Sequence, residues 1–269
     1  MGLFSARFVK PGPGINRDEP RKKGLARLWE VLSREGSAFW MAGLLAVIGF
    51  VPAGVCILLA TATGALVFVL AAGLLGTLGG PCLAGLYDTA MRGLRDEPGY
   101  WWHRYKKAVR RSARASLLPG ALTALFAGLE IYSASLLLGS EGVSPFVVFC
   151  VLLSSVVLLA VSNLYWCQLA LLELSAPALL RNSFLLLFAT LPRALGAALL
   201  LLAYWVALWL FAPLSLAVFL VTGAWLPVLA AALAVYAPLN KNFRIEETLA
   251  QRRREAEAPA GEEAESTAE

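Results

Sequence analysis

Histidine and cysteine are scarce in the sequence, and their scarcity narrows the chemistry that the chain can support. His103 is the only histidine, so the chain alone cannot supply a metal site built on several histidines. The four cysteines, Cys56, Cys82, Cys150 and Cys167, stand singly in apolar runs without the CxxC spacing of a metal or redox site. We expect them to be small buried apolar residues. We also expect no metal, no cofactor and no enzymatic activity.

Charged residues are scarce as well. They make up 15% of the 269 residues, whereas 59% are hydrophobic. A soluble fold cannot bury so much apolar surface, but long runs of Leu, Ala, Val and Gly suit the hydrocarbon interior of a bilayer. The sequence therefore predicts an all-α membrane protein, a polytopic bundle of transmembrane helices.

Three long intervals contain no Lys or Arg: 35–91, 115–180 and 194–240. One span needs about 20 residues, so each interval has room for two helices and a turn. The sequence thus predicts about six transmembrane helices arranged as three hairpins. The expected spans lie near 38–60, 65–87, 116–138, 145–168, 193–212 and 214–236.

All 23 Lys and Arg residues fall on one side of the predicted bundle. The first group lies in a predicted leader, 1–37, which includes an interfacial helix. Two further groups lie in the predicted inner loops 88–115 and 169–192 or directly beside them, and the last group lies in a partly disordered tail, 237–269. Because cytoplasmic segments retain positive charge, both termini are predicted to be cytoplasmic. This topology accounts for the net charge of +5, so we expect no nucleic-acid partner.

A rival interpretation makes the segment near 177–191 another span, which would invert everything after it. Its continuous apolar run begins at Phe184 and is only about half a span, because Arg181 and Asn182 interrupt what precedes it. We instead expect a short helix over 175–191 that Pro192 ends. This helix either lies along the inner membrane surface or re-enters the membrane partway.

A dense basic and aromatic segment precedes the third predicted span. Trp101, Tyr105 and Val109 share one helical face, and basic residues occupy most of the rest. Such a surface can hold anionic lipid headgroups or an acidic partner, since each Lys or Arg near an anionic membrane contributes about 1 kcal/mol. The alternative is an aromatic belt with a topology anchor. The candidate binding residues are Trp101, Trp102, Arg104, Lys106, Lys107, Arg110, Arg111 and Arg114.

Glu130 is the one charged side chain deep inside a predicted span. A bare carboxylate is costly there, so it is either protonated or satisfied by neighbours. Counting residues along each span places several polar side chains near its level and predicts an intramembrane polar layer. The layer would be a substrate or proton site, or only a hydrogen-bonded link between helices. Its candidate members are Glu130, Ser133, Ser154 or Ser155, Tyr204 and Thr222.

Several motifs resemble the YesL-like family of bacterial integral membrane proteins. The first is a basic amphipathic segment followed by an apolar run, over 29–52, and the second is the motif from Gly80 to Tyr87. The third is the Trp-rich basic segment up to Ala115, and the fourth is a motif in the second predicted inner loop, over 179–183. The chain departs from the family by the insertion of 53–79 between the first two motifs. The resemblance implies a bacterial cell membrane protein without an established catalytic activity, whose relatives are often encoded beside carbohydrate uptake transporters.

Two functions follow as hypotheses. The first is a non-enzymatic accessory or scaffold protein, associated with carbohydrate uptake, whose basic inner face contacts anionic headgroups or a transporter subunit. The second is a small-molecule transporter or channel that uses the polar layer around Glu130.

Overall fold

The computed structural model describes residues 24–97, 99–172, 174–248 and 251, and within them it is helical with no strand. This confirms the predicted all-α class. Most of the predicted leader and most of the predicted disordered tail lie outside the described residues. The helices are α1 (Leu25–Thr63), α2 (Val67–Arg95), α3 (Trp101–Leu138), α4 (Pro145–Leu171), α5 (Ala176–Ala189), α6 (Leu191–Leu210), α7 (Ser215–Thr222) and α8 (Trp225–Phe243).

The first three helices are longer than a bilayer requires. With 39 residues, α1 is roughly 58 Å long, and the 38 residues of α3 reach roughly 57 Å, against about 30 Å of hydrocarbon. The predicted interfacial helix is therefore the first part of α1, separated from the rest only by non-helical backbone at Glu35. The predicted inner loop 88–115 is likewise mostly the end of α2 and the beginning of α3. We call this end of the bundle, where the Lys and Arg residues of these helices lie, the basic end.

The next helices keep the predicted order. Pro145–Leu171 contains the whole of the predicted span 145–168. The short segment near 175–191 forms α5, whose 14 residues reach roughly 21 Å and fall short of a span. Leu191–Leu210 then covers nearly all of the predicted span 193–212.

The predicted sixth span, 214–236, is not one straight helix. It consists of α7 and the first part of α8, which are bent by 60° at their junction. Gly223 lies at the junction with φ 50, a backbone conformation that glycine adopts without steric cost. Among the described residues, five helices are long and apolar enough to cross a membrane, or six if this bent pair is one span. The chain is therefore a multi-pass membrane protein.

The main hydrophobic core lies toward the basic end. It joins α1 through α6 and α8 around the fully buried Trp166 and Phe39, and Phe39 stacks on Trp225 with ring centroids 6.2 Å apart. A smaller cluster between α1, α2 and α3 contains Ala53, Ile57, Ala72 and Ala124. The outer surface carries many exposed large apolar side chains, and α7 has no buried residue. Such a surface suits contact with lipid.

Small residues allow the backbones of α2 and α3 to approach closely. A Cβ atom on Gly120 would lie 2.6 Å from Gly80 Cα and 2.7 Å from the Gly76 carbonyl oxygen, and a Cβ atom on Gly80 would collide with the Ser116 carbonyl oxygen. Gly76 and Gly80 are four residues apart, as are Ser116 and Gly120. This spacing places small residues on one face of each helix, the usual arrangement for close packing within membranes. The crossing sets the register of α2 against α3.

The cysteines differ from the prediction in part. Cys167 is buried, but Cys56 and Cys82 are half-buried and Cys150 is exposed. The prediction took apolar surroundings in the sequence to mean burial within the protein. In a membrane protein an apolar side chain can equally face lipid, which explains the exposed position of Cys150 on α4.

Candidate functional site

Three carboxylates at the basic end are each held by two or three arginines. Asp88 pairs with Arg92 and Arg111, Asp96 with Arg27 and Arg34, and Glu97 with Arg92, Arg95 and Arg104. The carboxylates lie in the last turns of α2 and just after it, whereas their arginines come from α1, α2 and α3. The ion pairs therefore connect the ends of these three helices.

Asp96 connects α2 to α1. Its Oδ2 atom lies 2.7 Å from Arg27 Nη2, and the same nitrogen donates to the Leu94 carbonyl oxygen at 2.9 Å. Arg34 also donates to the Gly93 carbonyl oxygen, so both arginines cover the C-terminal end of α2. Burial alone would raise the pKa of the Asp96 carboxyl, but hydrogen bonds and positive charge from Arg27 and Arg34 outweigh it and lower the pKa below its usual value.

Asp88 connects α2 to α3 and α4. Its carboxylate is almost fully buried, and it accepts hydrogen bonds from Arg92, one turn later on the same helix, and from Arg111 on α3. Arg111 Nη2 also donates to the carbonyl oxygen of Ala170 at the end of α4, at 3.3 Å. The position of Arg111 is therefore set by two other helices.

The predicted basic surface on α3 divides into two faces. Trp102, Lys106 and Arg110 are four residues apart and exposed, and we call them the outer ridge. Lys106 Nζ lies 5.2 Å from the centroid of the Trp102 ring, a cation–π distance. Within the described part of the chain, neither Lys106 nor Arg110 has a carboxylate partner. Their charges are available to another molecule.

The second face of α3 borders a cavity of about 350 Å³, which we call the basic recess. Three of the predicted residues, Arg104, Lys107 and Arg111, lie there rather than on the outer ridge. Three further residues, Arg92, His103 and Ala108, complete it and were not among the predicted binding residues. The lining consists of Arg92, His103, Arg104, Lys107, Ala108 and Arg111.

The other predicted members of this surface have different positions. Trp101 is half-buried and packs against the rings of Trp102 and Tyr105, with centroids 5.6 and 5.4 Å away. Arg114 is exposed one turn beyond Arg111 and does not line the recess. Arg92 and His103 could have been found from spacing, since Arg92 follows Asp88 by four residues and His103 shares a helical face with Lys107 and Arg111.

Glu130 bridges α3 to α4. Its Oε1 accepts a hydrogen bond from Ser154 Oγ at 2.8 Å, and its Oε2 accepts one from Ser155 Oγ at 2.6 Å. The side chain is half-buried, as is Ser155, whereas Ser154 is exposed. Both carboxyl oxygens therefore have partners on the neighbouring helix. Ser133, one turn further along α3, has no hydrogen bond to this group.

Tyr204 and Thr222 form a separate polar contact. The Tyr204 hydroxyl lies 2.8 Å from Thr222 Oγ1 and donates to the Gly223 carbonyl oxygen at 2.7 Å. This contact joins α6 to the bend between α7 and α8, where the carbonyl groups at the end of α7 need partners. The structure therefore brings together Glu130 with Ser155, and Tyr204 with Thr222, as two pairs rather than one hydrogen-bonded layer.

Two further polar pairs lie in the main core. Tyr87 donates to Asn163 Oδ1 at 3.0 Å, and Gln168 Nε2 donates to Ser183 Oγ at 2.9 Å. All four side chains are buried, and the pairs connect α4 to α2 and to α5. Buried polar groups need such partners, so we assign these residues a structural role.

Comparisons with protein-family models, with curated proteins and with solved structures find no match to this chain.

Proposed function

We propose that the protein is a non-enzymatic membrane accessory or scaffold protein that docks an acidic partner protein on its outer ridge. The single observation that carries this proposal is the exposed row of Trp102, Lys106 and Arg110. Aromatic residues and arginine are enriched at protein–protein contacts, and exposed charge of one sign steers the approach of an oppositely charged partner.

The packing of α3, the helix that carries the outer ridge, favours this proposal. Tyr105, Ala108 and Ser112 on the opposite side of α3 are buried. Arg111 fixes the same helix to α2 and α4 through Asp88 and the Ala170 carbonyl oxygen. A ridge on a fixed helix loses little conformational freedom when a partner binds, which favours affinity.

The transport hypothesis is supported less well. Both oxygens of Glu130 accept hydrogen bonds from Ser154 and Ser155, so contacts between helices already offset the cost of placing this side chain in the membrane. Tyr204 and Thr222 are bonded to one another and to the bend at Gly223. These contacts favour a role for both groups in joining helices.

The link to carbohydrate uptake, with a transporter subunit as the partner in a bacterial cell membrane, is part of the proposal. It rests on the resemblance of 29–52, Gly80 to Tyr87 and the segment up to Ala115 to the YesL-like family. The departure from that family at 53–79 lies in the end of α1 and the first part of α2. It does not include the outer ridge, which lies on α3.

Photo-crosslinking in cells tests the docking. A photoreactive amino acid replaces Trp102 in the full chain, and crosslinked proteins are identified by mass spectrometry. We expect one specific protein, and we expect the double variant Lys106→Glu with Arg110→Glu to abolish the crosslink because it reverses the local charge. Lys241→Glu is the matched control, since Lys241 is an exposed cation on α8 at the same end. A crosslink that survives the double variant, or no protein crosslink, would refute the proposal.

A further inference from the structure

The basic recess concentrates positive charge. Four permanent cations line it, Arg92, Arg104, Lys107 and Arg111, together with His103. Two carboxylates, Asp88 and Glu97, contact these arginines. Counted over the described residues, the recess therefore has an excess of two positive charges before any contribution from the histidine.

Two arginines of the recess are held in position by hydrogen bonds and ion pairs with Asp88 and Glu97. Arg92 pairs with both Asp88 and Glu97, and Arg104 Nη1 donates to the Glu97 carbonyl oxygen at 3.1 Å. Each guanidinium has five N–H donors, so Arg104 keeps donors for a ligand after this bond. Groups fixed in this way bind an anion without a further loss of side-chain freedom.

Lys107 differs from the arginines. Among the described residues it has no hydrogen-bond or ion-pair partner, and its side chain lines the recess from an exposed position on α3. The described residues therefore place an ammonium without an ion-pair partner among them beside fixed guanidinium groups. His103, one turn earlier on the same face, also has no partner among the described residues. An anion in the recess would complete the hydrogen bonds of both.

We propose that the basic recess binds a phosphate monoester, held by Arg104 and Lys107 beside the fixed Arg92 and Arg111. A phosphate monoester carries about −1.5 to −2 charges near neutral pH, which matches the excess of positive charge. Its several oxygens can accept from more than one guanidinium at once, the geometry that arginine clusters recognise. The cavity of about 350 Å³ lies within the range of about 300–1,000 Å³ that is usual for small-ligand sites.

The recess also lies at the right depth for a lipid headgroup. Asp88 comes directly after the predicted end of the second span, and Arg111 lies five residues before the predicted third span, which is roughly 8 Å along the helix. A phosphate monoester at this depth comes from a phosphatidic acid headgroup or from a soluble metabolite. The proposal does not rest on partner docking, because the outer ridge and the recess are different faces of α3.

Binding to the full-length protein in nanodiscs tests the proposal and distinguishes the two sources. Phosphatidic acid is titrated into phosphatidylcholine nanodiscs and bound lipid is counted by native mass spectrometry, with phosphatidylglycerol as the phosphodiester comparison. Glycerol phosphate serves as the soluble probe and is titrated separately. Phosphatidic acid binding alone identifies a lipid headgroup, whereas glycerol phosphate binding identifies a soluble phosphate monoester.

Matched variants show whether the recess is the site. We expect Lys107→Gln to weaken binding about tenfold or more, since it removes a charge-assisted hydrogen bond. Lys106→Gln removes the same charge from the outer ridge and should leave binding within about twofold of the original, as expected for a screened surface charge. Neither lysine forms an ion pair with another described residue, and unchanged thermal midpoints will verify folding. Equal loss in both variants, equal affinity for phosphatidylglycerol, or no binding of either probe would overturn the proposal.

Discussion

Replacing Gly120 with alanine should force α2 and α3 apart. The added Cβ atom would lie 2.6 Å from Gly80 Cα and 2.7 Å from the Gly76 carbonyl oxygen, both backbone atoms that cannot rotate away. Carbon atoms prefer about 3.5–4.0 Å, so relief requires a separation of roughly 1 Å, which forfeits a quarter to a half of each dispersion contact along the crossing. Overpacking of this kind costs about 1–3 kcal/mol or more, against about 1 kcal/mol gained from the better helix propensity of alanine.

The assay is thermal unfolding of the purified protein in detergent, followed by tryptophan fluorescence. Because both contacts are with backbone atoms, we take the upper end of this range, a net loss of about 2 kcal/mol, and expect the midpoint to fall by about 4–8 °C. Gly54→Ala and Gly196→Ala are the controls, because a Cβ atom at either position meets no atom within 4 Å. Gly73→Ala should be intermediate, since its Cβ atom would lie 3.1 Å from Leu125 Cβ. Equal midpoints for Gly120→Ala and Gly54→Ala would refute the close crossing.

Substitutions at three further residues test the polar contacts. Glu130→Ala should lower the free energy of unfolding by about 1 kcal/mol, as for other hydrogen bonds between membrane helices. Glu130→Gln should lower it by less. A Glu130→Gln protein that is fully stable but inactive in cells would instead favour transport. Tyr204→Phe should lower the free energy of unfolding by a similar amount, because it removes the hydrogen bond to the Gly223 carbonyl oxygen. An unchanged unfolding midpoint would argue against a stabilising role for that hydrogen bond. Asp96→Asn should lower the free energy of unfolding by about 1–3 kcal/mol at neutral pH, because it leaves charged hydrogen-bond donors of Arg27 and Arg34 without their partner. Folding lowers the pKa of Asp96, so the ionised carboxylate stabilises the folded protein. This stabilisation is complete above about pH 4, near the ordinary pKa of an aspartate. It is lost as the pH falls through the lower pKa of the folded state. The difference from the original protein should therefore shrink in acid, and a difference that does not change with pH would contradict the ion pairs with Arg27 and Arg34.

The number and approximate positions of the long apolar helices could be predicted because the signal is local. A run of about 20 residues without Lys or Arg is visible in the sequence whatever surrounds it. The bend between α7 and α8 was missed for the same reason. Hydropathy is as high on both sides of Gly223 as in a straight span, and the bend depends on one backbone conformation with φ 50.

The polar layer shows the limit of counting residues along predicted spans. The count placed Ser154 or Ser155 near Glu130, and the structure joins both serines to it. The same count could not separate Tyr204 and Thr222 into a pair of their own, because depth alone does not determine which helices are neighbours. That choice depends on the whole arrangement of α3, α4, α6 and α7.

By itself, the sequence determined the all-α class, the membrane environment and the concentration of positive charge toward one end of the predicted bundle. These follow from composition and from the distances between charged residues along the chain. Only the tertiary structure decided which cations are available and which are paired. The crossing of α2 and α3 at Gly80 and Gly120 sets the register that brings Arg92 and Asp88 beside Arg111. That register, which no local pattern encodes, divides the basic residues of α3 into an outer ridge and a recess.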